Sequence, residues 1–419
     1  MSPSCAETRP PTTVLYKNRV DDLAYFGGPS LFTSPKPVSN LVRPDFEAFL
    51  GYSRQFFDRH QYTNNGVLVR QLEQRLAAFH GTAFCVTFCS GFWALALAIS
   101  ALARPGKREI VIPSLTYRRM ADIAAWTGLQ PHFCEVDPDT LACTAQTVEP
   151  CINDDTSIIV GVHPIVNCCD VAGLTELAQQ HGIPLLYDSV ESVYERILGR
   201  RIGGFGNAEV FSLGASKLVN GFEGGYLTTD DAALAEHLSL ARGFGFRGQD
   251  NVVVPGGMNA KLNEIHAAMA LASLDDLEAQ VQRNRARYEA YMHELKSLDG
   301  IRLVPFDETL QPAYKNIMVE LLDGWPLSRN DTVSLLNAEQ IIARAYYPAP
   351  LHRKPMSYPH VSPPLPVTDR LAERFLLLPC GHLVDHDDIA GIGAFLRFIH
   401  DHSAQIRPRL RALEEGAPA

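Results

Sequence analysis

The 419 residues carry 37 Lys+Arg against 47 Asp+Glu, a net charge of −10, with 46% hydrophobic and 20% charged residues. At roughly 100–200 residues per domain this length supplies two or three folding units and a large core, which excludes a one-domain binding module. An acidic balance without a run of Lys or Arg lacks the electrostatic footprint of a chain that holds nucleic acid or an anionic membrane.

In chain order, residues 1–20 are polar and Pro-bearing, and like the closing EEGAPA they predict poorly ordered ends unless a partner holds them. The opening MSPSCAETRPPTT has neither a basic n-region nor an apolar h-region. No later stretch reaches the roughly 18 uncharged apolar residues of a membrane span, so the expected location is the cytoplasm. From about Val69 to Val254, helical patterns such as VRQLEQRLAAF and FWALALAISAL alternate with the short apolar runs EIVIP, PHFCEV, SIIVGV, PLLYD, AEVFSL and GGYLTT. That alternation predicts an α/β fold with a mainly parallel sheet covered by helices. SIIVGV and PLLYD are apolar on both faces, as strands buried between two helix layers must be, and catalytic groups are then expected near strand ends.

A long helical stretch follows, from about Asn259 to Leu298. The strand-like runs IRLVPF, NIMVELL and ARAYYP and a last helix from about Asp387 to His402 then predict a smaller C-terminal α/β domain. With the boundary between Leu298 and Ile301, the large unit spans 21–298 and the small one 299–419.

The nine cysteines are odd in number and scattered, and no CxxC pair occurs, so they read as reduced, mostly core thiols and no metal site is expected. His382 and His386 lie among acidic residues. The stronger reading there is an N-cap at Asp385 or Asp387 with carboxylates at the positive end of a helix. Gly243-Phe-Gly245-Phe-Arg-Gly248 matches G-x-G-x-x-G but follows a helical pattern rather than a strand, so the dinucleotide-binding context is missing.

The informative stretch runs from Pro184 to Asp231, PLLYDSVESVYERILGRRIGGFGNAEVFSLGASKLVNGFEGGYLTTDD. One apolar strand ends at Asp188, a second ends at Ser212, and Lys217 follows in a Gly/Ala/Ser loop. A strand-end carboxylate for a pyridinium nitrogen and a loop amine for an aldehyde are what pyridoxal phosphate requires. Taken alone, Asp188 is equally readable as a helix cap and Lys217 as a surface charge.

Further segments extend the pattern: YFGGPSLF near Tyr25, YTNNGVLVRQLEQRLAAFHG, SGFWAL, VIPSLTY, GVHPIVNCCDV, RGFGFRGQDNV, MNAKLNEIHAAMALASL and YYPAPLHRKP. Together with YDSVES and EVFSLGASKLVNGFEGG they resemble the DegT/StrS-type sugar aminotransferases, fold type I pyridoxal phosphate enzymes. The closest likeness is to the branch acting at C-4 of nucleotide-linked 4-keto-6-deoxysugars. The resemblance implies that Lys217 is the Schiff-base lysine, Asp188 the partner of the pyridine nitrogen, and Tyr117 the aromatic stacked on the ring. Ser90, Gly91 and Phe92 at a helix start, with Ser212, would hold the phosphate. Asn259, and with it Lys261, would reach the neighbouring subunit's cofactor across a homodimer interface. His352 and Arg353 would lie near the substrate entrance.

Several positions depart from the family pattern. Phe92 stands where a Thr is usual, Gly214 where a His is common, and Pro164 and Asn167 alter a loop near the site. Glu191 replaces a Gln or His and would lie near the cofactor's phenolic oxygen. There it must be protonated, turned away or paired with a cation, and a raised pKa would make it an additional acid or base. The resemblance implies amino transfer from L-glutamate to a ketone of a nucleotide-linked deoxysugar or similar carbohydrate, in secondary-metabolite or polysaccharide synthesis. Two rival readings are a diverted reaction of the same cofactor (elimination, decarboxylation or carbon–carbon bond formation) and a regulatory protein that binds the cofactor without turnover.

Overall fold

The computed structural model describes residues 14–248 and 251–415. Residues 1–13 of the N-terminal stretch expected to be poorly ordered, and 416–419 of the C-terminal one, lie outside them. Residues 14–20 depart from that expectation. Lys17 is buried against the Glu339 carboxylate at 2.9 Å, and Val20 is 5% exposed, so an ion pair and an apolar anchor hold this segment on the C-terminal core.

The central sheet has seven strands: β1 (Phe84–Phe88), β2 (Glu109–Pro113), β3 (Gln130–Cys134), β4 (Thr156–Val162), β5 (Leu185–Asp188), β6 (Ala208–Ser212) and β7 (Gly225–Thr229). Their order is β1-β7-β6-β5-β4-β2-β3, and β7 alone runs antiparallel to its neighbours. The mainly parallel α/β sheet read from the sequence is therefore present, with β1 as a seventh strand. That segment, FCVTF, is an edge strand of five residues between two strongly helical patterns.

The period of two along each strand builds the layers. Ile110, Ile112, Val160, Leu186 and Val210 point into one core with Ala94–Ile99 of the helix Gly91–Leu102. Val111, Ile159, Leu185 and Tyr187 point the other way, against Leu174 and Ala178 of the helix Val171–His181. Phe211 and Tyr226 meet Leu72 and Leu76 of the helix Val67–His80 on that second face. Burying each Leu or Ile side chain contributes on the order of 1.5–3 kcal/mol, and both faces collect it, which is why the inner strands β2, β4 and β5 are apolar through their middles. Helix Val67–His80 stops at Gly81, whose φ of 71° favours glycine and whose N–H caps Ala77 and Ala78 carbonyls.

The helical stretch expected as one unit from Asn259 to Leu298 is two helices, Glu264–Asp275 and Leu277–Leu295. Asn263 caps the first by accepting from the His266 N–H, and the chain leaves helical geometry at Asp276. The first buries Ala267, Ala268, Ala270 and Leu271 against the large sheet, and the second starts in that same core with Leu277 and Val281 and then sends Tyr288, Tyr291 and Leu295 into the C-terminal core, so it bridges the two. That second core surrounds a four-stranded antiparallel sheet ordered Ile301–Leu303, Ile317–Leu321, Phe375–Leu378, Arg344–Ala345. Leu23, Leu31 and Phe32 join it, so the N-terminal segment packs on the C-terminal side. The last long helix, His386–Asp401, starts at Asp385, whose side chain accepts from the Asp388 N–H at 2.9 Å as an N-cap. Among the described residues, no helix is long and apolar enough to cross a membrane.

Candidate active site

The carboxyl ends of β1, β2, β4, β5 and β6 converge on a cavity of about 340 Å³. Ser90, Gly91, Phe92, Tyr117, Asp188, Glu191, Ser212 and Lys217 all line it. Residues from positions 90 to 217 are brought together because each follows a strand of one sheet, the arrangement in which open α/β sheets bind ligands.

Asp188 closes β5, in register with Val162 and Val210, and is 5% exposed. The Val190 N–H donates to its Oδ1 at 3.2 Å. Burial pushes its carboxyl up to about 6 from an ordinary 3.8, against the pull of that N–H and of Lys217. A carboxylate so poorly solvated favours a cationic partner.

Ser212 ends β6 and its Oγ accepts from the Gly214 N–H at 3.2 Å, starting the tight turn in which the Lys217 N–H donates to the Gly214 carbonyl at 2.9 Å. The turn points the Lys217 ammonium at Glu191, 2.5 Å from Oε1. On the other side Ser90 caps the helix Gly91–Leu102 by accepting from the Trp93 N–H at 3.3 Å, so the Gly91 and Phe92 N–H groups open the helix without an intrahelical partner. A Cβ on Gly91 would meet Ser212 Cβ at 3.2 Å, which places the Ser212 hydroxyl beside the same helix end. A helix N-terminus with a hydroxyl beside it suits a phosphate, the strand-end carboxylate suits a protonated ring nitrogen, and the amine suits an aldehyde. The donor set fits pyridoxal phosphate.

Glu191 is paired with cations, the third of the alternatives open from the sequence. Its Oε1 takes Lys217, and its Oε2 takes the buried Lys315 and, at 3.3 Å, the Asn316 amide. Burial pushes the Glu191 carboxyl up, but the two lysines outweigh it and hold the group well below the ordinary carboxylate range. The raised pKa that would make Glu191 an extra acid or base is therefore corrected. Burial disfavours charge on Lys217 as well, yet Glu191 and then Asp188 hold its ammonium above the usual lysine range. Lys315 was not anticipated. The available signal was the unpaired charge of Glu191, which required a cation, and a lysine opening the strand of PAYKNIMVELL.

The remaining expected residues divide. Pro164 lines the cavity, whereas Asn167 turns away and binds the Pro305 carbonyl and the Asp307 N–H. Gly214 forms the turn before Lys217. Asn259 is exposed and outside the cavity, accepting from Lys261 Nζ at 2.6 Å. Arg353 is held by Asp369, with Nε 2.9 Å from Oδ1, and His352 Nδ1 meets Ser114 Oγ at 2.7 Å, so neither is a free cation at the entrance. Tyr346, Tyr347, His163, Thr116 and Glu223 also line the cavity, and no local pattern in the sequence marks them.

Residues 46–397 match the DegT/DnrJ/EryC1/StrS aminotransferase family. The chain belongs to that family. The solved structure of DesI in the presence of its TDP-sugar product is 34% identical, with a TM-score of 0.87 over 94% of this chain and 100% of that one. The dTDP-4-amino-4,6-dideoxy-D-glucose transaminase of Escherichia coli is 26% identical over 82% of this chain and 93% of its own length. The L-glutamine:2-deoxy-scyllo-inosose aminotransferase of Streptomyces fradiae is 29% identical over 92% of this chain and 99% of its own. Family membership makes this a fold type I, pyridoxal phosphate-dependent aminotransferase.

Proposed function

We propose that the protein moves an amino group from an amino acid, L-glutamate in the first instance, to the ketone of a nucleotide-linked deoxysugar, working in the cytoplasm as a homodimer in secondary-metabolite or polysaccharide synthesis. The observation that carries the reading is the meeting of Lys217, Asp188 and the Ser90–Phe92 helix start in one cavity of a chain so similar to a TDP-sugar-binding structure. When bound, pyridoxal phosphate supplies an electron sink and a carrier for the amino group between the two half-reactions.

Each residue then has a distinct task. Asp188 would hold the ring nitrogen and favour its protonated form, a charge pair that the burial of the carboxylate would strengthen. The Gly91 and Phe92 N–H groups and the Ser212 hydroxyl would hold the phosphate, and Tyr117 would pack against the ring. Lys217 would hold the cofactor by its aldehyde, and its amine, placed by the turn after β6, would serve as the base and acid that moves the donor's α proton. Glu191 holds the amine close while Lys315 balances the charge of the carboxylate. Asn259 serves the neighbouring subunit's site. The division near residue 298 separates the unit that binds the cofactor from the smaller one that supplies Lys315.

Adding L-glutamate to the purified holoenzyme tests the first half-reaction. The expected result is loss of the bound cofactor's absorbance with release of 2-oxoglutarate; a spectrum indifferent to L-glutamate and L-glutamine alike would reject an aminotransferase using either donor. The scyllo-inosose relative favours a second reading, a carbocyclic ketone as acceptor.

A further inference from the structure

Beside the cofactor cavity lies a second cleft of about 680 Å³, and Tyr117 lines both. Arg118, Arg119 and Asp122 form one wall, and Lys354 and Tyr358 stand on the other. Asp122 is spent within the wall: Arg119 Nε lies 3.1 Å from it and the Tyr358 hydroxyl donates to it at 2.7 Å. The Arg118 guanidinium and the Lys354 ammonium make no hydrogen bond or ion pair among the described residues. Two cations thus face one cleft on a chain of net charge −10, with only a through-space pull from Asp122 on Lys354.

The two walls are tied to each other. Arg118 follows β2 through Ser114, and Ser114 receives the turn that bears Lys354: the Leu351 N–H donates to its carbonyl at 2.9 Å and the His352 N–H to its hydroxyl at 3.1 Å. The cations are therefore held at a set distance from the cofactor cavity. Burial, and then the Arg118 guanidinium, push the Lys354 ammonium below the usual lysine range, a cost that an anion between the two would remove. A guanidinium pairs with two phosphate oxygens at once, while an ammonium acts as a compact point charge.

A ketone that reaches the Lys217 amine must leave its nucleotide outside a cavity at the small end of ligand pockets, and across Tyr117, which lines both, stands the cationic cleft. We propose that Arg118 and Lys354 form the subsite for the diphosphate of a nucleotide-linked keto sugar. The proposal rests on the nucleotide-sugar reading above and adds where the carrier is held.

The test is calorimetric titration of the holoenzyme with dTDP, UDP, GDP and inorganic pyrophosphate, for the natural protein and for Arg118→Gln, Lys354→Met and Arg353→Gln. The exposed Arg118 and half-buried Lys354 can be replaced without opening the core. The nucleotide that binds, with pyrophosphate competing for its place, is expected to weaken by about tenfold or more with Arg118→Gln and with Lys354→Met, the scale of one lost charge contact. With Arg353→Gln, whose charge is already taken by Asp369, it should change less than about twofold. The salt dependence of binding should flatten in the first two variants. Undiminished binding by both would overturn the subsite and leave the nucleotide-sugar reading standing. Failure of the natural protein to bind any of the nucleotides, with amination of an uncharged cyclic ketone, would overturn both.

Discussion

Replacing Asp188 by Asn keeps the side chain's shape and its acceptor for the Val190 N–H, 3.2 Å away, and removes only the charge. In the cofactor-free protein burial lifts this carboxyl from 3.8 to about 6. A group whose pKa is higher folded than unfolded contributes its stability fully below the unfolded value, and that contribution is lost as pH rises through the folded value. At about 1.4 kcal/mol per pH unit, the interval from 3.8 to about 6 amounts to a penalty of about 3 kcal/mol above pH 6. Asn carries no such penalty at any pH. The cofactor-free Asp188→Asn protein is therefore expected to match the natural one near pH 4 and to exceed it by up to about 3 kcal/mol at pH 8, read as the difference in urea midpoints across that range. With cofactor bound the order reverses, because only the carboxylate can pair with a protonated ring nitrogen, and turnover should fall by about a hundredfold or more. An Asn variant no more stable than the natural protein at pH 8 would refute the reasoning that the site holds an under-solvated carboxylate in wait for a cation.

Three further outcomes follow from the same geometry. In a double-mutant cycle of Glu191→Gln and Lys315→Met, each single change leaves a buried charge short of a partner, so a coupling energy of about 2 kcal/mol is expected in unfolding titrations, below the full cost of a broken buried pair because Lys217 and Asn316 remain; simple additivity would contradict the triad. Glu191→Gln takes the anion from beside Lys217 and leaves Lys315, so the amine's pKa falls, and cofactor-free protein should combine with pyridoxal phosphate faster at pH 7, by about tenfold for each unit the pKa drops. Gly225→Ala would place a Cβ 2.5 Å from the Gly91 nitrogen and 2.7 Å from the Ser90 carbonyl carbon, so the helix start must shift, and cofactor affinity measured by absorbance titration should fall about tenfold or more.

The parts legible in the sequence were those written in local pattern. Strand runs apolar on both faces gave six of the seven strands of the large sheet, and small-residue turns marked Asp188, Ser212 and Lys217 at their ends. The edge strand Phe84–Phe88 was hidden by its helical neighbours, and Phe375–Leu378, FLLL after a short helix, has no alternation to mark it. What local pattern does not hold is the pairing of distant charges. Lys315 meets Glu191 across 124 positions, and the cations at the cleft are Arg118 and Lys354 rather than His352 and Arg353, because Ser114 and Asp369 claim the latter two.

The most direct measurement is transfer of label: holoenzyme, amino-15N L-glutamate and a dTDP-linked 4-keto-6-deoxysugar, with the sugar nucleotide analysed by mass spectrometry. The account predicts a 15N-amino sugar nucleotide whose formation requires Lys217 and is lost in Lys217→Ala. Glutamate consumed with no label in any nucleotide-linked or cyclic ketone offered, or label transferred equally well by Lys217→Ala, would contradict it.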